Sequence, residues 1–436
     1  MEPAPTHTHI GHRPRAAVVV AAGGDLRLRS SYPAVLRRVG GVRLLERTVK
    51  VLREAGLERI IVVVGQRGDE IAAVVRDKHL PVDVIANDDW RAGTGTSVLI
   101  GVRAVDDPRC LVVMGDHMFE PDDVCHLLDA TGRNVLAVDR DLGRQVGGLG
   151  GIPPARTLTE DGRVLELAEQ LIDFNAVDAG FMTVQREDVL ATAERTPVTS
   201  WVALRQEMLA AGCDLTTCDV AGLWAPVDTP EGVRPLERVM WRRYGPKPTD
   251  GIVARLILRR ISGPMTRQLL RIGMSPHVAT VVAFTVTLIA AALIAVGDTW
   301  PMRAGGVGVV LGCALDGVDG ELARVSGRVT RRGALLDTLL DRYADLAVVL
   351  GLVLGAGGSR DAWVWGFAAG SGCLLVSYVH AIGRDLDVHL LLRREFRLLI
   401  FALCAIAELP LWGLGFVAVA ANADVIRGLV LLLRAS

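Results

Sequence analysis

The chain has 436 residues, half of them hydrophobic, with 48 lysines and arginines against 49 aspartates and glutamates and a formal net charge of −1. That balance excludes bulk binding to nucleic acid, which needs a marked basic excess, and the length allows two domains. The mean hydropathy of +0.35 hides a split: residues 1 to about 245 have a mixed composition, while those from about 275 onward are strongly apolar.

The first stretch, "MEPAPTHTHIGHRPR", is polar and carries two early prolines. It lacks the charged start, apolar run and small-residue cleavage site of a signal peptide, so residues 1–14 read as a disordered tail and the first domain is expected in the cytosol. His7, His9 and His12 there are read as part of the tail rather than as metal ligands. The seven cysteines are scattered without a CxxC pair, which fits reduced, buried thiols.

"AAVVVAA" (16–22) is a continuous apolar run followed by Gly23 and Gly24. It predicts a buried strand opening into a phosphate-facing loop. "LLERTVKVLREAG" (44–56) has helical periodicity and ends on Gly56, a natural C-cap. "RIIVVVG" (59–65), "VDVIAN" (82–87) and "CLVVMGD" (110–116) read as further strands separated by helical stretches. The alternation predicts an α/β, doubly wound, mostly parallel sheet over residues 15–240. Ligands in such sheets bind at the carboxyl ends of the strands, where Gly23, Asn87 and Asp116 fall.

"AAGGDLRL", "NDDWRAGTGTSV", "VVMGDHMF", "NAVDAGF" and "WAPVDTPE" follow one another over about 220 residues. This series resembles the sugar-phosphate nucleotidyltransferases, most nearly the inositol-1-phosphate cytidylyltransferases. The resemblance implies a nucleotide site around Gly23, Gly24 and Arg27, with Asp116 and Asp228 holding Mg2+ at the phosphates. Hard carboxylate oxygens suit that ion. Three positions depart from the family pattern. Asp25 replaces a loop glycine, Ala34 stands where a lysine is expected after Pro33, and Glu169 where another lysine is expected. Two lost cations and two gained anions weaken triphosphate binding. The domain is therefore read as degenerate, structural or regulatory, with an active cytidylyltransferase or a different nucleotide as the alternatives. Arg27 and Arg43 are candidate surrogate cations.

"WRRYGPKPTDG" (241–251) reads as a linker. "IVARLILRRISGPMTRQLLRIG" (252–273) mixes apolar residues with Arg255, Arg259, Arg260, Arg267 and Arg271, an interfacial amphipathic pattern interrupted near Gly263 and Pro264. Together they make a segment 241–275. "VATVVAFTVTLIAAALIAVG" (278–297) has twenty residues and no charge, enough to cross a bilayer. Further spans are expected near 302–319, 334–355, 362–383, 397–411 and 412–433, the fifth broken by Glu408 and Pro410. Residues 276–436 thus read as an all-α, six-span membrane bundle. Arginines cluster at 324–332 and 384–397, both on the side of the first domain, which the positive-inside rule places in the cytosol. The expected location is the cell membrane.

Carboxylates in hydrocarbon rarely persist without a partner or a task. Asp316, Asp319, Gly320 and Ala323 share one helical face, and so do Gly333, Asp337 and Asp341. Eight residues between Arg324 and Gly333 suit a turn joining two antiparallel helices. Four converging carboxylates repel unless cations sit among them. With oxygen ligands and no His or Cys in the stretch, Mg2+ or Mn2+ is the natural choice. Gly320 and Ala323 let a ligand lie against the helix, and Arg324 offers a fork to phosphate.

The spacing D-x2-DG-x2-AR-x8-G-x3-D-x3-D is identified as that of the CDP-alcohol phosphotransferase family. The resemblance implies a two-metal site at Asp316, Asp319, Asp337 and Asp341, and a CDP site lined by Gly320, Ala323, Arg324 and Gly333. It makes Asp341 the general base for the attacking hydroxyl. Nearly the whole chain resembles the bifunctional inositol-1-phosphate cytidylyltransferase and di-myo-inositol-phosphate phosphate synthase family. That implies transfer from a CDP-linked donor, CDP-inositol, to inositol phosphate with release of CMP. Arg331, Arg332, Arg393, Arg394 and Arg397 are the candidate acceptor-phosphate cations. The alternative is a phosphatidylinositol-phosphate-type synthase using CDP-diacylglycerol with a non-catalytic first domain. A transporter would explain the spans but not the eight fixed positions. The expected partners are the donor, the polyol-phosphate or alcohol acceptor and the lipid bilayer, with no nucleic acid; a homodimer stays open.

Overall fold

The structure, a computed structural model, describes residues 13–23, 32–141, 153–245, 259–383 and 391–435. The chain divides into two compact units, Met1–Val239 and Met240–Ser436.

The first unit is an α/β layer fold. Its elements are β1 (Ala16–Ala21), β2 (Arg38–Val39), β3 (Val42–Arg43), α1 (Leu44–Glu54), β4 (Arg59–Val64), α2 (Gly68–Asp77), β5 (Asp83–Ala86), α3 (Thr94–Arg103), β6 (Arg109–Met114) and β7 (His117–Met118). They continue through α4 (Pro121–Asp129), β8 (Asn134–Asp139), β9 (Arg156–Glu160), β10 (Arg163–Ala168), β11 (Ala176–Gln185), α5 (Arg186–Arg195), α6 (Trp201–Ala210), β12 (Leu215–Asp219) and β13 (Ala225–Pro226). α7 (Pro230–Tyr244) runs out of this unit.

The nine-stranded sheet has the order β5-β4-β1-β6-β11-β8-β12-β10-β9. β1 is flanked in parallel by β4 and β6, and every residue of it is buried. That is why its sequence is an unbroken apolar run rather than an alternation. Leu45, Val49, Ile71 and Leu127 cover one face, from α1, α2 and α4. Val98, Val102, Val189 and Leu204 cover the other, from α3, α5 and α6. The doubly wound expectation holds, but the mostly parallel one needs correction. β11 lies antiparallel to both β6 and β8, and β10 is antiparallel to β9 and β12. Parallel pairing requires a crossover, and helices supply one along β1–β4–β5 and into β6. β9 and β10 instead form a hairpin closed by Asp161 and Gly162, both at positive φ (47° and 76°), the backbone that a two-residue turn demands.

The second unit is helical among its described residues: α8 (Arg259–Arg271), α9 (Pro276–Ala295), α10 (Thr299–Ser326), α11 (Arg331–Gly355), α12 (Arg360–Ile382), α13 (Arg394–Ile406) and α14 (Pro410–Ala435). Among the described residues, three helices are long and apolar enough to cross a membrane: Pro276–Ala295, Arg360–Ile382 and Pro410–Arg434. Their outward residues, among them Val281, Ile289, Phe367 and Phe416, are exposed and apolar. Such surfaces suit lipid rather than water.

α8 runs unbroken through Gly263 and Pro264, contrary to the expected interruption. Glu321 of α10, fully buried, accepts hydrogen bonds from Ser262 (3.0 Å) and Thr266 (2.6 Å) on either side of that proline. This clamp offsets the backbone bond that proline cannot make. Arg255 and Arg384, the linker beyond Gly245 and the tail up to residue 12 lie outside the described residues.

The eight-residue turn expected before Gly333 is shorter. α10 continues to Ser326, where Gly327 (φ 68°) ends it; the amide of Arg328 donates to Ala323 O (2.8 Å) and that of Gly327 to Arg324 O (3.2 Å), a Schellman closure. Thr330 then caps α11 by accepting from the Gly333 amide (3.0 Å).

α9 lies between α10 and α11 at backbone distance. A Cβ on Gly305 would stand 2.6 Å from Ala290 O, one on Gly351 2.4 Å from Ala291 O, and one on Gly355 2.4 Å from Ile294 O. Gly351 and Gly355 are the small-xxx-small spacing that lets membrane helices touch.

Candidate functional site

In the first unit, antiparallel β7 and β13 pair Pro226 with His117 and Ala225 with Met118. The amide of Val227 donates to Asp116 O (2.8 Å). This short ladder brings Asp116 and Asp228, the expected metal pair, within hydrogen-bonding range of each other. The ring of His117 bonds Asp116 Oδ1 through Nδ1 (2.7 Å) and stacks on Trp224, whose Nε1 donates to Asp139 Oδ2 (2.8 Å). Burial opposes charge on both partners, but mutual attraction outweighs it. Asp116 is held below the ordinary carboxylate range, and His117 is raised by Asp116, Asp228 and Asp178. Gly180 sits under the His117 ring at φ 87°, where a Cβ would come within 2.5 Å of it. Only glycine meets both conditions.

Gly23 falls at the carboxyl end of β1; Gly24, Asp25 and Arg27 are outside the described residues. Asn87, buried after β5, donates to Thr96 and Ser97. Glu169 is exposed beyond β10. Arg43, the last residue of β3, pairs with Glu46 of α1 at 3.0 Å. Arg37, which the sequence reading passed over, is buried within electrostatic reach of Asp228 and Glu231. The sequence offered a signal for it: an arginine three residues after the missing lysine. Burial lowers the Arg37 pKa, and the charge of Asp228 opposes it. The Cys110 thiol is pushed up to about 12 by burial, and all seven cysteines are free, as expected of inert thiols.

In the second unit, α10 and α11 bring Asp316, Asp337 and Asp341 together, with one carboxylate oxygen of each within 4.8 Å of the others. Asp319 is not in that group of three. Thr280 of α9 donates to its Oδ2 and the Gly320 amide to its Oδ1, both at 2.5 Å. It remains within electrostatic reach of Asp316 and Asp337. The donor set is all oxygen and thiol-free, and its three oxygens are close enough to share one hard divalent cation, so the residues fit Mg2+ or Mn2+.

Histidine is not absent from the site. His277, at the start of α9, stands against Gly333, where a Cβ would meet its Cε1 at 3.0 Å. This neighbour comes from more than fifty positions away in the chain, which is why a reading confined to the motif missed it. A small recess adjoins the acids, lined by Thr280, Phe284, Gly312, Asp316, Asp341 and Arg394 among others.

The candidate phosphate cations separate into distinct groups. Arg394 reaches the edge of the acid cluster: its Nη1 is 2.9 Å from Asp316 Oδ2 and 2.9 Å from Asp341 Oδ1, and its Nε donates to Asp345 Oδ1 (2.9 Å). Arg397 is buried on Asp345 Oδ2 (3.4 Å) and on the carbonyl of Leu392 (3.2 Å). Arg331, Arg332 and Arg393 are exposed. Arg324 donates from Nε to Tyr244 O (2.8 Å) and from Nη2 to Gly245 O (2.5 Å), while its Nη1 lies 3.0 Å from where a Cβ on Gly320 would be. Ala323 is half-buried on the same stretch of α10.

Residues 17–257 match the MobA-like NTP transferase domain family, and residues 274–421 match the CDP-alcohol phosphatidyltransferase family. The chain is 39 % identical over 445 aligned positions to a curated "Bifunctional IPC transferase and DIPP synthase" of Rubrobacter xylanophilus, covering 99 % of each. It is 29 % identical to the protein of that name from Aquifex aeolicus, over 83 % of this chain and 82 % of the relative. Among solved structures, an inositol-1-phosphate CTP transferase from T. maritima aligns with a TM-score of 0.46 and 21 % identity, over 52 % of this chain and 96 % of that one.

Proposed function

Because the chain belongs to the family of the bifunctional IPC transferase and DIPP synthase, we propose that the acids of α10 and α11 are its transfer site, moving a polyol phosphoryl group from CDP-inositol to inositol phosphate. The chain is a transferase with a CDP-alcohol phosphotransferase domain and a nucleotidyltransferase-like first domain. The observation that carries the reading is the convergence of Asp316, Asp337 and Asp341 from two helices, one carboxylate oxygen of each within 4.8 Å of the others.

Asp316, Asp319, Asp337 and Asp341 would hold two divalent ions, Mg2+ or Mn2+. When bound, they would polarise the donor phosphate and neutralise the charge of departing CMP. The chain's own residues do the rest. Asp341 takes the proton of the acceptor hydroxyl. The hydroxyl oxygen attacks the phosphorus that carries the inositol, the bridging P–O bond breaks, and its electron pair leaves on CMP. Gly320, Ala323 and Gly333 leave room for CDP against the helices, and Arg324 turns from the carbonyls of Tyr244 and Gly245 towards its phosphates. Arg394, with Arg331, Arg332 and Arg393 nearer solvent, meets the acceptor phosphate. Thr280 keeps Asp319 in one orientation.

The domain boundaries proposed are 15–240, 241–275 and 276–436. α9 to α14 make six crossings, with the first domain and the acids on the cytosolic side of the cell membrane. The basic residues around 324–332 and 393–397 support that orientation. α13, with 13 residues, is about 20 Å long and the shortest crossing. In the first domain, Gly23, Gly24, Arg27, Asp116 and Asp228 form a weakened nucleotide site. The test is a donor screen on purified membranes, CDP-inositol against CDP-diacylglycerol, scored by product mass. A phospholipid product would establish the alternative synthase.

A further inference from the structure

Asp345 belongs to none of the eight fixed positions, yet it is one of the most deeply buried acids in the second unit, 2 % exposed. It stands one helical turn beyond Asp341 on the same face of α11. Both its oxygens are taken by arginines of α13: Oδ1 by Arg394 Nε at 2.9 Å and Oδ2 by Arg397 Nη2 at 3.4 Å. Arg397 is itself fixed by the Leu392 carbonyl, and the Leu392 amide donates to buried Asp424 Oδ2 (2.8 Å) on α14. A guanidinium is rigid and planar, so fixing Nε also fixes where Nη1 points. Here it points between Asp316 and Asp341, at 2.9 Å from each.

We propose that Asp345 is a positioning residue: by holding Nε of Arg394, it keeps that arginine as a tethered counter-charge at the edge of the acid cluster and so sets how tightly the cluster takes a divalent cation. The inference rests on the reading of Asp316, Asp337 and Asp341 as cation ligands. A guanidinium bonded to two of those three carboxylates competes for the same oxygens. Asp345 keeps Nε for itself, so that the guanidinium meets them through Nη1 and not through its whole fork. Without Asp345 the arginine settles fully onto Asp316 and Asp341 and excludes the ion. Without Arg394 the carboxylates are left with less positive charge to share, and the ion binds more tightly. A residue needed only for folding would not make the two members of one ion pair act in opposite directions.

The test is a titration of the purified full chain in detergent with Mn2+ alone, reading free Mn2+ by electron paramagnetic resonance. The membrane-half share is the bound Mn2+ that Asp337→Asn removes. Asp345→Asn is expected to weaken that share and Arg394→Gln to tighten it, each by about tenfold, the size of a coupling between contacting charged groups. In the double variant the Asp345→Asn effect disappears, because nothing remains to be positioned. If Asp345→Asn weakens binding equally with and without Arg394, Asp345 acts only as a distant negative charge and the proposal is overturned. No change in the single variant overturns it too. Asp345→Glu decides the matter if the asparagine variant does not fold. It keeps the charge but advances Arg394 by one methylene, so positioning predicts weaker binding and a field effect alone predicts none. If Asp337→Asn removes no Mn2+, the cation reading of the cluster fails and takes this inference with it, an outcome distinct from those above.

Discussion

Thr280 on α9 donates its hydroxyl proton to Oδ2 of Asp319 on α10, joining a membrane-grade apolar helix to the helix that carries the first two acids. The carboxylate's other oxygen already accepts the Gly320 amide, so this pair fixes the rotation of Asp319. Thr280→Val keeps the shape and removes the donor. It leaves a buried acceptor short of one bond, a cost of about 1–3 kcal/mol. CMP release from CDP-inositol should fall by about tenfold while the protein still purifies as a folded species. An unchanged rate would show that the orientation of Asp319 does not matter.

Asp337→Asn, which replaces a charged oxygen of the three-acid group with an amide, should abolish CMP release in isolated membranes. Chelation of divalent ions should do the same to the unmodified chain, with recovery on adding Mg2+ or Mn2+ and none on adding monovalent salt. Activity that survives either treatment contradicts the cation reading.

The first domain lacks a lysine at Ala34 and carries Glu169 where another is expected. In the full chain bearing Asp337→Asn, pyrophosphate release from CTP and inositol phosphate should be slow. Adding Ala34→Lys should raise it by about tenfold, as one charge-assisted contact to phosphate would. Fast release that Ala34→Lys leaves unchanged would mean that other cations already do this work; buried Arg37, near Asp228, is the first to replace.

Gly180→Ala places a methyl group 2.5 Å from the His117 ring at a φ of 87°. The strain is about 1–3 kcal/mol, and the steric conflict moves His117 off Asp116. Thermal unfolding of the first domain should shift down, and nucleotide binding should weaken with it. Gly351→Val brings side-chain carbon against Ala291 O in the second unit. It should lower the unfolding temperature in detergent and CMP release together, because overpacking of this kind costs about 1–3 kcal/mol.

The acid motif was legible because its ligands lie on two consecutive helices at fixed spacings, and helix periodicity alone puts them on shared faces. β1, β4 and β6 were legible because central parallel strands are buried on both sides and read as apolar runs. The antiparallel return of β11 was not, since a buried strand looks the same whichever way its neighbour runs. Thr280, His277 and Asp345 were missed for a related reason. Each acts through a partner on another helix, and a lone threonine, histidine or aspartate carries no local mark of its contact. The burial of Arg397 on Asp345 was not legible, because an arginine near a helix start looks like a surface cation.

The three glycines at 305, 351 and 355 hold α10 and α11 against the main-chain oxygens of α9. Rods touching at that range have no slack in which to slide or tilt. The trio that carries Thr280 and the acids is therefore a stiff anvil, and whatever opens to admit one sugar and expel a nucleotide must be sought in the parts of the bundle that meet through longer side chains.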